Sequence, residues 1–457
     1  MKVQKFGGSS LADGHRIKKT LKIVLDENTD HYVVLSAMKG ITNLLVEASK
    51  NAETGNSNYK LQLQKIADIH YSSVSVLFSE SDSSEVEKSI SFLLDELKDI
   101  LHGVELVQEC SLRTGDLIMS FGERLNCTIA AAYLNSIGKK TKMIDARQLI
   151  ITDDNYGSSN VFLQKSYSRI QENLSDKKTL YIITGFISGS EKGITTTLGR
   201  NGSDYTASII GAAMNSEIVE IWTDVDGVLT ADPRVVQNSF VIPKLTIEEA
   251  MELSYFGAEV IHPYTLMPTV EKNIPVIIRN TLNVQAPGTI ISRDPIERER
   301  AITGIASIDN VSFINVEGGG MLGIPGIASS IFSALAEAEV NIIMITQASS
   351  EHSICIVCRT HEVERAVQHL NKKLEYELKT KKINRIEVKN DLEIIAVIGE
   401  NMKGMIGISG KLFSSLGDSE VNILAIAQGS SERNISFVIE NKDKRTALNT
   451  IHRTFIG

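Results

Sequence analysis

The last third of this 457-residue chain contains one stretch written twice. From Met321, "MLGIPGIASSIFSALAEAEVNIIMITQASSEHSICIV" returns without a gap from Met402 as "MKGMIGISGKLFSSLGDSEVNILAIAQGSSERNISFV". Self-similarity of this length means one supersecondary unit used twice. Each copy reads strand, glycine turn, helix, strand, turn, strand, then a second helix ("EVERAVQHLNKKL"; "KRTALNTIHRTF"). That order predicts a βαββαβ plan, a small sheet with both helices on one face. The repeat also disposes of a false lead. Gly318, Gly320 and Gly323 spell G-x-G-x-x-G, but the second copy reads "GENMKG", and "NIIMITQ" ends in Gln347 rather than a ribose-binding acid. A dinucleotide site is not expected there.

Upstream, residues 1 to about 295 alternate short β-branched runs with longer helical stretches. "HYVVLSA", "TLYIITGFIS", "SEIVEIWTDV" and "IPVIIRN" read as strands buried on both faces, the mark of a parallel sheet. "EVEKSISFLLDELKDILHGVELV" is the clearest amphipathic helix. Such alternation makes an α/β sandwich whose ligands sit beyond the carboxyl ends of its strands. The charged run "SRDPIERER" marks a boundary, giving expected domains of 1–295, 300–388 and 389–457.

Charge and apolar patterning exclude several classes. A net charge of −9 argues against nucleic acid or an anionic membrane as principal partner. No apolar run reaches the roughly 18–20 residues that span a bilayer, and "MKVQKFGG" lacks the apolar core of a secretion signal. A cytoplasmic protein is the expectation. Cys355 and Cys358 form a nominal C-x-x-C, but in a strand such positions point to opposite faces, so two structural thiols and no metal site are expected.

Five stretches at predicted strand ends carry the chemistry: "KFGGSS", "GITNL", "SFGERLN", "TTTLGRNGSDYTA" and "IWTDVDGVLTADPRV". Any one could be a turn or a helix cap. Together they suit an anionic nucleotide and a small zwitterion. Amides of Gly7 and Gly8 can face phosphate oxygens because no Cβ obstructs them, and Lys5 supplies a mobile positive charge. Arg200 has the planar fork that grips a carboxylate in two bonds. Glu123 can pair with an ammonium.

With "GITNLL", "TLGRNGSDYTA", "IWTDVDGV…ADPRVV" and "MELSYFGAEVIHP", the chain resembles the aspartate kinases along essentially its whole length, and the repeat resembles their paired ACT domains. It is especially similar to the kinase half of the bifunctional aspartate kinase–homoserine dehydrogenases. The expectation here is a monofunctional kinase, since the sequence stops at Gly457. The resemblance implies an amino-acid kinase three-layer α/β/α sandwich with a mainly parallel sheet, followed by two ACT domains. It implies transfer of the ATP γ-phosphoryl group to the β-carboxylate of L-aspartate, the first step toward lysine, threonine and methionine, with Mg²⁺ on the phosphates. By the same resemblance Lys5, Gly7, Gly8 and Ser9 handle the phosphates, and Thr223, Asp224 and Arg234 lie along the nucleotide. Arg200 would bind the aspartate α-carboxylate and Glu123 its ammonium, with Thr42 and Ser203 completing the pocket. Lys5 and Asp204 would be the catalytic pair. The nucleophile, a carboxylate with a pKa of about 4, needs no general base, so His262 is read as structural. Glu259 and Leu229 depart from the residues many family members carry, and no nucleotide role is given to either.

Two rivals stay open at this level: another kinase of the same fold, acting on acetylglutamate, glutamate or uridylate, and an inactive amino-acid sensor. The resemblance further implies feedback control through the ACT pair. Asn341 and Gln347 recur as Asn422 and Gln428, opposite the glycine turns near Met321 and Ile327. Short amide ligands suit threonine; lysine is the alternative effector. Small sheets with exposed edges tend to pair, so a homodimer or larger homo-oligomer through the region after about 300 is expected.

Overall fold

The computed structural model describes residues 1–27, 31–257, 263–294, 296, 298–321, 326–347 and 352–457. Glu259, His262 and Gly323 lie outside the described residues. Two compact units form, one from 1–228, 243–247 and 260–295, the other from 229–242, 248–259 and 296–457.

In chain order the first part runs β1 (Lys2–Phe6), α1 (Gly14–Leu25), β2 (His31–Leu35), α2 (Ile41–Glu53), α3 (Tyr59–Leu77), α4 (Glu80–Val107), α5 (Leu112–Met119), α6 (Phe121–Ser136) and β3 (Thr141–Ile144). It continues through β4 (Ile151–Thr152), α7 (Leu163–Asn173), β5 (Leu180–Thr184), β6 (Ile187–Ser190), β7 (Thr195–Thr197), α8 (Gly202–Ala213) and β8 (Ile218–Thr223). Then come β9 (Lys244–Thr246), α9 (Ile247–Tyr255, almost wholly in the second unit), α10 (Met267–Glu271), β10 (Val276–Asn280) and β11 (Thr289–Ser292).

Among the described residues the main sheet has eight strands in the order β3-β5-β2-β1-β8-β10-β11-β9. Every pairing is parallel except β10 with β11. β2 and β5 are buried at every residue, as their unbroken apolar runs predict. Helices α7, α8 and α10 pack together on the side of the sheet that α8 covers, while α1 to α6 form the opposite layer. In that layer α4 buries Val86, Ile90, Leu94, Leu97, Leu101 and Val104, a spacing of three and four that makes one continuous helical stripe. β4, β6 and β7 form a small separate sheet.

The second unit carries β12 (Gly304–Glu317), α11 (Ile327–Glu337), β13 (Met344–Gln347), β14 (Ser353–Arg359), α12 (Val363–Lys373), α13 (Glu375–Lys379) and β15 (Arg385–Ile398). The second copy follows as α14 (Ile408–Gly417), β16 (Ala425–Gln428), β17 (Asn434–Glu440) and α15 (Lys444–Phe455). All six strands join in one sheet, ordered β13-β14-β12-β15-β17-β16. β12 and β15 each serve both repeats. The half of β12 from Val311 pairs with β14, whereas Gly304–Ile308 lies beside Ile394–Ile398 in the second copy. Ile302 and Ile305 accordingly join Val397, Leu412, Phe437 and Ile451 in the second core. The crossover is marked by left-handed residues at corresponding positions, Asn310 (φ 53°) and Asp391 (φ 62°), where the register shifts. Asn and Asp are the non-glycine residues that best tolerate this conformation. Cys358 is buried and Cys355 half-buried, both free, the latter against Asn315.

Candidate functional site

The carboxyl ends of β1, β2, β5 and β8 meet at one edge of the main sheet, and the chain leaves each by a short turn. After β1, Gly7 donates its N–H to the Trp222 carbonyl at 3.1 Å, so it ties the glycine turn to β8 instead of offering that donor to a ligand. Ser36, after β2, donates to the Phe6 carbonyl at 3.1 Å, and Gly185, after β5, donates to the Leu35 carbonyl at 2.9 Å. Four strand ends are thereby laced together by three bonds before any side chain contributes.

Side chains then fill the edge. Alternation along β1 turns Val3 and Lys5 toward α8, and Lys5 Nζ lies 2.5 Å from Asp204 Oδ1. Both groups are nearly buried, with side chains 11% and 5% exposed. The pair sits against the glycine turn after β1, since a Cβ on Gly7 would stand 3.4 Å from Lys5 Nζ. Asp204 and Ser203 occupy the first turn of α8, where the helix dipole favours negative charge. Ser203 fits because Gly185 has no side chain: a Cβ there would come within 2.5 Å of Ser203 Oγ.

Glu123, in the first turn of α6, is buried in the same edge. Its Oε1 accepts the Ala37 N–H at 3.0 Å, and its Oε2 has no hydrogen-bond partner among the described residues. Burial pushes its carboxyl up to about 8, against the downward pull of the Ala37 N–H and the Lys5 charge. Thr42 enters from the first turn of α2, which packs close to α6: a Cβ on Gly122 would strike Ala37 and touch Ile41. Arg200 lies on the turn between β7 and α8, exposed, with no hydrogen bond or ion pair among the described residues.

Lys5, Gly7, Gly8, Ser9, Thr42, Glu123, Arg200, Ser203, Asp204 and Thr223 thus belong to one edge of one unit. Thr223 ends β8 and donates to Asp224 at 3.2 Å. Arg234 is not among them. It belongs to the second unit, where its guanidinium is forked onto Asp232 at 3.0 and 2.8 Å. Leu229 is also in the second unit, bridged to Val241. Of the repeat residues, Met321 ends a short 3₁₀ turn, Ile327 is buried at the start of α11, and Asn341, Gln347, Asn422 and Gln428 are exposed. The two glutamines close β13 and β16, which lie at opposite ends of the sheet order yet come together in space.

Two contributors escaped the sequence reading. Asn126 donates to the Ser36 carbonyl at 2.7 Å, bracing the loop that carries Ala37. Phe186, directly after Gly185, has φ 65°, an outlier for a bulky residue; Thr206 Oγ1 accepts its N–H at 3.1 Å. The "TGFIS" run shows a strand end, but nothing local announces a left-handed phenylalanine.

Comparison with known proteins places the two units in known families. The pattern of the amino acid kinase family matches residues 1–280, and that of the ACT domain matches 314–374 and 395–455. The chain is 35% identical, over 99% of its length, to bifunctional aspartokinase/homoserine dehydrogenase 2, chloroplastic, of Arabidopsis thaliana, of which it covers 50%. It therefore spans about half the length of that curated relative. It is 34% identical to aspartokinase 1, chloroplastic, of the same plant, over 99% of this chain and 80% of that protein. E. coli aspartokinase III, solved with aspartate and ADP in its R-state, superposes over 100% of both chains with a TM-score of 0.84 at 28% identity. Solved with lysine and aspartate in its T-state, the same enzyme gives 0.82 at 30% identity.

Proposed function

We propose that this chain, which belongs to the aspartokinase branch of the amino acid kinase family, transfers the γ-phosphoryl group of ATP to the β-carboxylate of L-aspartate. The observation that carries the reading is the Lys5–Asp204 pair, set between a glycine turn suited to phosphate and a pocket suited to an α-amino acid. The nucleophile arrives ionised, so the protein's task is placement and charge neutralisation. Amides following Gly7 and the start of α8 meet the phosphates, and Lys5, held by Asp204, faces the charge that shifts during transfer. Glu123 takes the ammonium, Arg200 the α-carboxylate, and Ser203 and Thr42 line the remainder. Mg²⁺ fits this donor set: it prefers hard oxygens, few of them from protein, and Asp204 offers one beside the phosphate turn. It would neutralise phosphate charge when bound. Arg234 and Asp224 are left as nucleotide contacts to be tested. ADP release measured with aspartate, glutamate and UMP in turn decides the substrate. Turnover with glutamate or UMP instead of aspartate would overturn the reading.

Glu123 adds a pH dependence. Below about pH 8 the empty pocket holds this carboxyl neutral, so an arriving ammonium must displace its proton. Apparent aspartate affinity then weakens toward tenfold for each unit of added acidity, by linkage. The KM for aspartate is expected to rise steadily from about pH 8 to about pH 6 while the KM for ATP stays level. A level aspartate KM across that range would take Glu123 out of the ammonium site.

The repeat unit supports feedback by an amino acid. Gln347 and Gln428, at the ends of two edge strands that meet, present amides in matched positions, with Asn341 and Asn422 in the connections that lead into those strands. Amide donors and acceptors suit the head group and hydroxyl of threonine, although the E. coli relative was solved with lysine. Threonine is expected to inhibit, and Gln347→Ala or Gln428→Ala to relieve inhibition without lowering uninhibited activity. Inhibition by lysine alone would reverse the choice of effector. Such coupling is typically worth about 1–3 kcal/mol between two arrangements of the unit. Exposed Ile345 and Ile426 on the same edge strands make this unit the place for self-association. Among the described residues no helix is long and apolar enough to cross a membrane.

A further inference from the structure

Asp116 is a fully buried carboxylate on α5 that the mechanism above does not use. Among the described residues no cation pairs with it. Its oxygens are met by neutral donors from two other segments. Oδ1 accepts the Thr197 hydroxyl at 2.7 Å and Oδ2 the Thr197 N–H at 3.1 Å, while the Gly157 N–H reaches both oxygens at 3.1 and 3.0 Å. The two held segments are also bonded to each other, since Ser159 donates to the Thr197 carbonyl at 2.9 Å.

The connections on either side give this clamp its meaning. On one side, the Ser120 N–H donates to the Asp116 carbonyl at 3.1 Å, and Ser120 leads straight into α6 and Glu123. On the other, Thr197 closes β7, and only Leu198 and Gly199 separate it from Arg200. Leu198 is itself fixed, its N–H donating to the Phe186 carbonyl at 2.9 Å. One buried carboxylate therefore joins the helix pair carrying the group for the ammonium to the strand that leads into the turn carrying the group for the α-carboxylate. Burial pushes the Asp116 carboxyl up, and the Gly157 and Thr197 donors pull it back.

We propose that Asp116 is a positioning residue that sets the spacing between Glu123 and Arg200, and so the fit of the pocket to an α-amino acid head group. It does not touch the substrate, and the proposal rests on the roles given to Glu123 and Arg200 above. A carboxylate suits the site because its two backbone partners, the N–H groups of Gly157 and Thr197, can only donate. In Asp116→Asn the amide nitrogen must face the N–H of Gly157 or Thr197, and one side of the clamp opens. Small displacements of binding groups carry large kinetic costs, so the aspartate KM of Asp116→Asn is expected to rise about tenfold or more. The KM for ATP should stay within about twofold.

A merely structural role would shift both constants together or neither, and either result overturns the proposal. Thr197 offers a route that leaves Asp116 in place. Thr197→Ser keeps the hydroxyl and should retain the wild-type aspartate KM, whereas Thr197→Val should raise it. The double variant Asp116→Asn with Thr197→Val should be no worse than the more impaired single variant, because both remove one interaction. Additive losses would count against the clamp. Hydrogen exchange separates failure of the clamp from failure of the pocket reading. Exchange at the Gly157 and Thr197 amides should quicken in Thr197→Val or Asp116→Asn while α6 stays protected. Unchanged exchange there would overturn the clamp even in an enzyme that uses aspartate. A wild type inactive on aspartate would instead sink the roles of Glu123 and Arg200.

Discussion

Arg200→Lys is expected to cripple the use of aspartate while leaving ATP binding nearly intact, and Arg200→Ala to do so at least as severely. The residue is exposed on the turn before α8 and makes no ion pair among the described residues, so a carboxylate can be taken without breaking an existing bond. A lysine in its place keeps the charge but loses the two parallel hydrogen bonds of the guanidinium fork. Removing one partner of a hydrogen-bonded charge pair costs roughly 2–5 kcal/mol once the site is closed over its ligand. At about 1.4 kcal/mol per tenfold, the lower bound alone is near thirtyfold in affinity. The measurement is the KM for aspartate at saturating ATP, with ATP binding followed separately. An Arg200→Lys enzyme with unchanged aspartate affinity would remove Arg200 from the substrate pocket.

What the sequence makes legible follows from where the information is local. Unbroken apolar runs such as "HYVVLSA" and "TLYIITGFIS" can be buried only on both faces, and they emerge as β2 and β5, interior strands of a mainly parallel sheet. Motifs at strand ends then land at one edge because parallel strands present all their carboxyl ends together. The unreadable parts depend on distant partners. β12 is a single strand in the sequence, yet its two halves enter different cores, and only pairing with β15 decides where the division falls. Asn310 and Asp391 hint at the bend, but either could have been an ordinary turn residue. Arg234 shows how a motif and its surroundings separate: "ADPR" reads as a ligand contact, and in the fold its guanidinium forks onto Asp232 two residues away, a pairing the motif alone does not announce. Asp116 had no signal at all. A lone aspartate in "RTGDLIM" reads as a solvent-facing helix position until Gly157 and Thr197 arrive from elsewhere in the chain.

Lys5→Ala should lower turnover far more than it weakens aspartate binding. In the resting protein the ammonium is committed to Asp204 at 2.5 Å, on the α8 side of the sheet edge and beside Gly7. On the roles proposed above, that position faces the region where phosphoryl oxygens gather charge, while Glu123 and Arg200 would hold the amino acid through groups Lys5 does not replace. A contact that strengthens only as charge moves contributes to the transition state and little to the ground state. Loss of one such preorganised group costs about 10²–10³ in kcat, or roughly 2.7–4 kcal/mol. The variant also leaves Asp204 as a carboxylate 5% exposed with its cation gone, which will reduce thermal stability. Lys5→Arg separates the two effects, because a guanidinium can still pair with Asp204 but cannot place its charge at the same point. Stability should recover in Lys5→Arg while turnover stays low. Recovery of both would make Lys5 a counter-ion for Asp204 and nothing more, and near-normal turnover in Lys5→Ala would take it out of the mechanism altogether.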